Sequence, residues 1–212
     1  SSTKSPSAKD ADRRDQRSDY FTKVLRTFLN MVLPIVLYGN PVLQRKAVAV
    51  EAGYHNLDKL IEDMWETMYF AKGVGLAAPQ VGMSLRLFVV DSRSYYGDED
   101  GKGGMKRVFI NAELLDASGA NWNFEEGCLS IPKINADVER RQRIRLRYCD
   151  EHFVAHEEEF DDMNARIILH EYDHIEGVLF IERINPVRRR MLQSKLDKIR
   201  KGMANASYPV KQ

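Results

Sequence analysis

Cysteine is scarce in this chain: 212 residues carry only Cys128 and Cys149. A domain of this size can bury a core without covalent staples, and the first residues contain no apolar segment of the roughly 7–15 residues an export signal needs. A Cys128–Cys149 disulfide is therefore not expected, and a reducing, cytoplasmic compartment is. Long apolar runs are also missing. No stretch nears the roughly 20 residues of a membrane helix, so no membrane attachment is expected. Net charge is +1, which excludes a whole-molecule field that would draw the protein to nucleic acid or lipid. Histidine is limited to five positions, and glutamate is absent after Glu182.

What is present is the composition of a globular protein, 43% hydrophobic and 30% charged. Residues 1–30 stand apart. Their first half is Ser, Lys, Asp and Arg with almost nothing apolar, and Met31 opens a cleaner pattern. The expectation is a disordered, vector-derived or dispensable extension over 1–30, followed by a single catalytic domain over 31–212. The rival reading is an N-terminal helix carrying Phe21, Val24, Leu25 and Phe28 at helical spacing.

Within 31–212 the periodicities alternate between helix and strand. "NLDKLIEDMWETMYFAKG" predicts a helix capped by Asn56 and stopped by Gly73, with Leu57, Leu60, Ile61, Met64 and Met68 as its apolar stripe. A glycine-containing loop then runs into a strand around Leu85–Val90, and the polar stretch after Asp91 reads as a solvated loop. "RVFINAEL" reads as a second strand. In "RIRLRYC", Ile144, Leu146 and Tyr148 alternate with Arg143, Arg145 and Arg147, which places Cys149 on the arginine side. Arg140 and Arg141 read as part of the same charged sheet face. A helix near Asp161 or Asp162 ends at Gly177, and a basic helix over 186–202 starts with Asn185 as cap and Pro186 in the first turn.

The chemistry concentrates in "ILHEYDHIEG". His170, Glu171 and His174 spell H-E-x-x-H, and helical residues four apart lie about 40° apart around the axis, so both imidazoles reach one metal ion. They share a core-facing stripe with Met163 and Ile167, where unpartnered imidazoles would be costly and a metal satisfies both. A catalytic site of this kind usually takes a third protein ligand. A metzincin would place a histidine six residues after His174, but that residue is Phe180. A downstream glutamate is excluded because none follows Glu182. The third ligand must lie upstream. His152 and His156 sit in an acidic turn that suits a solvated surface, His55 lies beside a helix cap, and Cys149 lies on the strand. Cys128, in "FEEGCLSIPKI", would complete a Cys-His-His set with one position open to water.

Three stretches together, "GVGLAAPQVG" (73–82), "EGCLSIP" (126–132) and "HEYDHIEG" (170–177), resemble the three signature motifs of bacterial peptide deformylase, in the family's order. The resemblance spans residues 31 to about 185. It implies an α+β fold with antiparallel sheets packed around a central helix that carries HExxH, and a C-terminal helix. It implies a metal-dependent hydrolase that removes the formyl group from the N-terminal formylmethionine of nascent polypeptides and releases formate. On this sequence Cys128, His170 and His174 would be the metal ligands, with Fe(II) as the native ion and zinc, nickel or cobalt as substitutes. Glu171 would move the proton, Gln80 and the backbone N–H of Leu129 would bind the oxyanion, and Gly75 and Glu126 would line or support the substrate site. The basic C-terminal helix would contact the ribosome. The competing classes are a metal-dependent peptidase or amidase acting on another acyl group, and a non-enzymatic metal-binding module.

Overall fold

The computed structural model describes residues 31–97 and 103–212, of which Val32–Gln212 form one folded unit. The alternative N-terminal helix around Phe21–Phe28 and part of the loop after Asp91 fall outside the described residues. Five antiparallel strands make the main sheet in the order β2-β3-β4-β5-β6. These are β2 (Gly75–Ala77), β3 (Leu87–Asp91), β4 (Lys106–Cys128), β5 (Ile131–Cys149) and β6 (Ala155–Asp161). A separate parallel pair joins β1 (Ile35–Val36) to β7 (Val210–Lys211) near the end of the chain.

One helix packs on each face of the sheet, which explains why β3 is buried along its whole length. Phe88 and Val90 point into the cluster beneath α2 (Asp162–Ile175) with Phe109, Leu146 and Ile168. Leu87 and Val89, of opposite parity, pack with Met64 and Met68 of α1 (Leu57–Phe70). Side chains of opposite parity leave a strand on opposite faces, so a continuous apolar run is what a doubly covered strand requires. Helix α2 is accordingly buried nearly all round. A third cluster joins Ile131, Ile134 and Val138 at the start of β5 to Phe180, Leu196 and Ile199, the last two from α3 (Pro186–Arg200).

The expected α+β arrangement, with antiparallel strands around a central helix and a C-terminal helix, is what the chain adopts. Several local expectations are corrected. Asn56 does not cap α1: it lies in the left-handed region at φ 58° and makes no side-chain cap hydrogen bond. The helix ends at Phe70, and Lys72 at φ 58° turns the chain out before Gly73 is reached. The loop before β3 contains the short strand β2 and a 3₁₀ turn over Ala78–Val81. His156 is not a turn residue; it sits half-buried on β6, 2.8 Å from Asp150 Oδ2 and stacked on Tyr148. Cys149 does lie opposite Tyr148 in parity, but that face is covered too, and it packs against the α1 cluster. Both cysteines are free thiols.

Arg140 is the largest departure. It lies in phase with Ile134, Ala136 and Val138 rather than with exposed Arg141 and Arg143, and it is buried. The alternation of β5 breaks across Arg141–Arg143, three consecutive exposed positions, beside the bulge between Ser118 and Asn121 on β4. Arg140 therefore faces the interior although its neighbours form a charged surface.

Candidate metal centre

β2 with the turn after it, the end of β4 with the turn it enters, and α2 bring the three sequence motifs to one place. Cys128 ends β4, and Leu129–Ser130 turn the chain into β5. His170 and His174 lie one turn apart on α2, with ring centroids 5.2 Å apart. One ligand atom from each of Cys128, His170 and His174 lies within 4.8 Å of the others, the only such group of three among the described residues. Cys128 Sγ is 3.2 Å from His174 Nε2. Thiolate and two imidazoles form a donor set for a zinc-like or ferrous ion, and three such side chains converging in a partly buried pocket fit one well.

The groups behind the ligands fix their orientation. His170 Nδ1 is 3.0 Å from Glu126 Oε2, so Nδ1–H donates to the carboxylate and the other ring nitrogen is left for a metal. Glu126 is itself buried and accepts from Arg140 Nε at 2.7 Å, Arg140 Nη2 at 2.9 Å and Arg166 Nη1 at 2.6 Å. Burial alone would raise its pKa, but the bonds from His170 and Arg140 hold the carboxyl well below the usual range. Arg140 Nη1 reaches Asp173 Oδ2 at 2.8 Å, and Arg183 closes the far side of Asp173. Buried charges persist only when paired in this way.

Glu171 has a different environment. It is buried, and its Oε2 has no hydrogen-bond partner. Burial pushes its carboxyl up to about 7, against the attraction of His170 and Arg140. A Cβ on Gly75 would collide with Glu171 Oε1 and lie 2.8 Å from its Cδ, so β2 approaches this carboxylate as closely as it does only because residue 75 is glycine. Gln80 is buried in the turn after β2. Its Oε1 accepts from Ala77 N at 2.8 Å, which aims Nε2 at Cys128 Sγ, 3.5 Å away. Gly75, Gln80, Glu126, Cys128, Leu129, His170 and Glu171 line one cavity of about 410 Å³, whose apolar wall includes Phe124, Ile131, Met163 and Ile167.

The family model for polypeptide deformylase matches residues 32–190. The chain belongs to the peptide deformylase family. Among similar curated proteins, the peptide deformylase of Flavobacterium johnsoniae is 47% identical over 188 residues, covering 85% of this chain and 96% of that one. That of Cytophaga hutchinsonii is 48% identical over 181 residues, covering 85% and 97%. Among solved structures, peptide deformylase from Thermus thermophilus is similar at TM-score 0.72 and 39% identity, over 81% of this chain and 99% of that one. A Met-Ala-Ser-bound peptide deformylase from Acinetobacter baumannii is similar at TM-score 0.67 and 35% identity, over 74% and 100%.

This deformylase is thus a metal-dependent hydrolase that removes the N-formyl group from nascent peptides. No helix among its described residues is long and apolar enough to cross a membrane. All eight site residues expected from the sequence meet in one place. Sequence reasoning missed Arg140 and Arg166, the buried cations on either side of Glu126. Two signals were there to read: Arg140 shares parity with Ile134–Val138, and Arg166 lies one turn before His170 on the same helix.

Proposed function

We propose that Cys128, His170 and His174 hold the metal, that Glu171 is the proton-transfer group, and that Gln80 Nε2 and the Leu129 backbone N–H bind the oxyanion. The observation that carries this reading is a thiol and two imidazoles gathered within 4.8 Å beside a buried carboxylate with an unpartnered oxygen. When bound, the metal supplies Lewis acidity, polarising the formyl carbonyl and bringing the pKa of a water toward ~7. Glu171 takes the proton from the attacking water at a carboxylate oxygen, and returns it to the amine nitrogen as the C–N bond breaks and formate leaves. Gln80 Nε2, held by the Ala77–Gln80 bond, donates to the oxygen that gains charge in the attack; losing one such donor costs about 2.7–4 kcal/mol of barrier.

Gly75 lets β2 lie directly against Glu171 at the cavity, and the apolar wall of the cavity suits the methionine side chain. The Met-Ala-Ser peptide named for the Acinetobacter baumannii relative is a product of the same chemistry, which supports formyl-methionyl peptides as substrates here. Residues 32–212 form the catalytic domain, working in the cytoplasm where nascent chains emerge. Fe(II) is the native ion that the family resemblance implies; one thiolate and two imidazoles accommodate it, as they would zinc, nickel or cobalt. Exposed Arg188, Arg190 and Lys195 on α3 dock the enzyme on the ribosome.

The test is formate release from formyl-Met-Ala-Ser by anaerobically purified, ferrous-loaded enzyme, beside acetyl-Met-Ala-Ser. Turnover of the first alone is expected. Glu171→Ala should keep stoichiometric metal and lose turnover, and Cys128→Ala should lose metal. Stoichiometric metal in Cys128→Ala, or full turnover in Glu171→Ala, overturns the assignment. For α3, ribosome co-sedimentation that weakens with salt and with charge reversal at Arg190 is expected; salt-independent or absent binding counts against it.

A further inference from the structure

We propose that the C-terminal tail, residues 203–212, is part of the active site, and that Tyr208 is a positioning residue for the Leu129 turn. Past α3 the chain reverses at Gly202 (φ +76°) and runs back toward the cleft. It is anchored on both sides of the return. Ile35 N donates to Pro209 O at 2.9 Å and Leu37 N to Lys211 O at 2.9 Å, forming the parallel β1–β7 pair. Lys211 Nζ reaches Val81 O at 3.1 Å, and Gln212 Nε2 reaches Ile199 O at 2.8 Å. Between α3 and these anchors, Asn205, Ala206, Ser207 and Tyr208 line the same cavity as Gly75, Gln80 and Glu171. Without the tail the cleft would lack that wall.

The half-buried Tyr208 hydroxyl donates to Leu129 O at 2.7 Å. The next carbonyl, Ser130 O, accepts from Tyr38 N at 2.9 Å. Two consecutive carbonyls of the two-residue turn between β4 and β5 are therefore held by groups outside the turn. That turn follows Cys128 directly, and its first residue supplies the N–H assigned to the oxyanion. A backbone donor stabilises charge only if its direction is set before the charge forms. Tyr208 holds the carbonyl side of Leu129, and so restricts rotation of the residue whose N–H must point at the reacting oxygen. The inference rests on the oxyanion role proposed for Leu129.

Tyr208→Phe keeps the ring and removes the donor. Because the oxyanion exists only after attack, the effect should fall on kcat. A loss of about three- to tenfold in kcat is expected, with KM, metal content, urea midpoint and affinity for the deformylated product Met-Ala-Ser unchanged. An unchanged kcat overturns the proposal, as does a loss of kcat accompanied by a fallen urea midpoint and weaker product binding, which a merely structural bond would give. Gln80→Ala, the other proposed oxyanion donor, is measured beside it. If Gln80→Ala loses about a hundredfold in kcat while Tyr208→Phe is silent, the Tyr208 role falls and the oxyanion reading stands. If both are silent, the oxyanion reading falls and takes the inference with it.

Discussion

Glu126 and His170 are joined by a single contact, Oε2 to Nδ1 at 3.0 Å, that links a proposed metal-ligand histidine to a buried charge network. The carboxylate sets which ring nitrogen carries the proton and which is free, and it is held in turn by Arg140 and Arg166. Outer partners of this kind typically contribute 10–100-fold to metal affinity or activity. Glu126→Gln keeps the shape but gives up a charged acceptor and faces two arginines with a neutral amide. Metal Kd, read by competition with a chelator, should rise by about 10–100-fold. An unchanged Kd would show that His170 is oriented by packing alone.

Arg140 binds Glu126 on one side and Asp173 on the other, and all three are buried. Arg140→Met fits the space but leaves two carboxylates short of their partner. Removing one member of a buried ionic group costs about 3–5 kcal/mol, so urea unfolding should show a loss of that order. In a Glu126→Gln background the same change should cost less, because part of the uncompensated charge is already gone. Strict additivity of the two substitutions would mean that the ions do not act as one unit.

The candidate site was legible in the sequence because its chemistry is local. His170, Glu171 and His174 are placed by helical spacing alone, and Cys128 stood out among the possible third ligands by its Gly-Cys-Leu setting before an apolar strand. The doubly covered sheet was partly legible, through the unbroken apolar run of β3. Arg140 was misread because arginines dominate the neighbourhood, and composition outweighed parity. Tyr208 could not be found, since "NASYPVKQ" has neither helical nor strand period, and its place depends on two residues of β1 over 170 positions earlier. Asn185 caps α3 as expected, accepting from Val187 N at 2.8 Å, but the Asn56 cap failed for a similar reason: whether Asn56 bonds its helix or enters the left-handed region depends on how the chain arrives from Tyr54, not on residue type.

Asp91 gives the acid side of stability a specific expectation. At the end of β3 its carboxylate accepts from Arg93 Nε at 2.9 Å, Arg93 Nη2 at 2.7 Å and Tyr69 OH at 2.7 Å. The Arg93 bonds, foremost, hold its pKa at about 2 against burial, from an ordinary 3.8. The folded form thus takes the proton later than the unfolded chain. The resulting stability is fully present above about pH 4 and drains away as pH falls toward 2. Asp91→Asn should therefore be less stable than the parent near neutrality, with the gap closing between about pH 4 and pH 2. Since Arg93 is more than half exposed, added salt should narrow the gap. Parallel urea-midpoint curves down to pH 2 would contradict this origin.

Gly75 separates positioning from binding most directly. Its φ is not in the left-handed region, so alanine is conformationally acceptable there, and the obstacle is the Glu171 carboxylate itself. Glu171 is buried beneath β2, so an added methyl group must either push the carboxylate aside or lift the strand. Cys128, His170 and His174 need not move in either case. Gly75→Ala should retain stoichiometric metal while kcat for formyl-Met-Ala-Ser falls by about a hundredfold, the scale expected when a reacting group is displaced by about 1 Å. If Glu171 moves, KM changes little; if β2 lifts, KM rises as well, because the strand borders the peptide cleft. Wild-type turnover would mean that Glu171 tolerates displacement, which a proton-transfer group working at fixed reach does not.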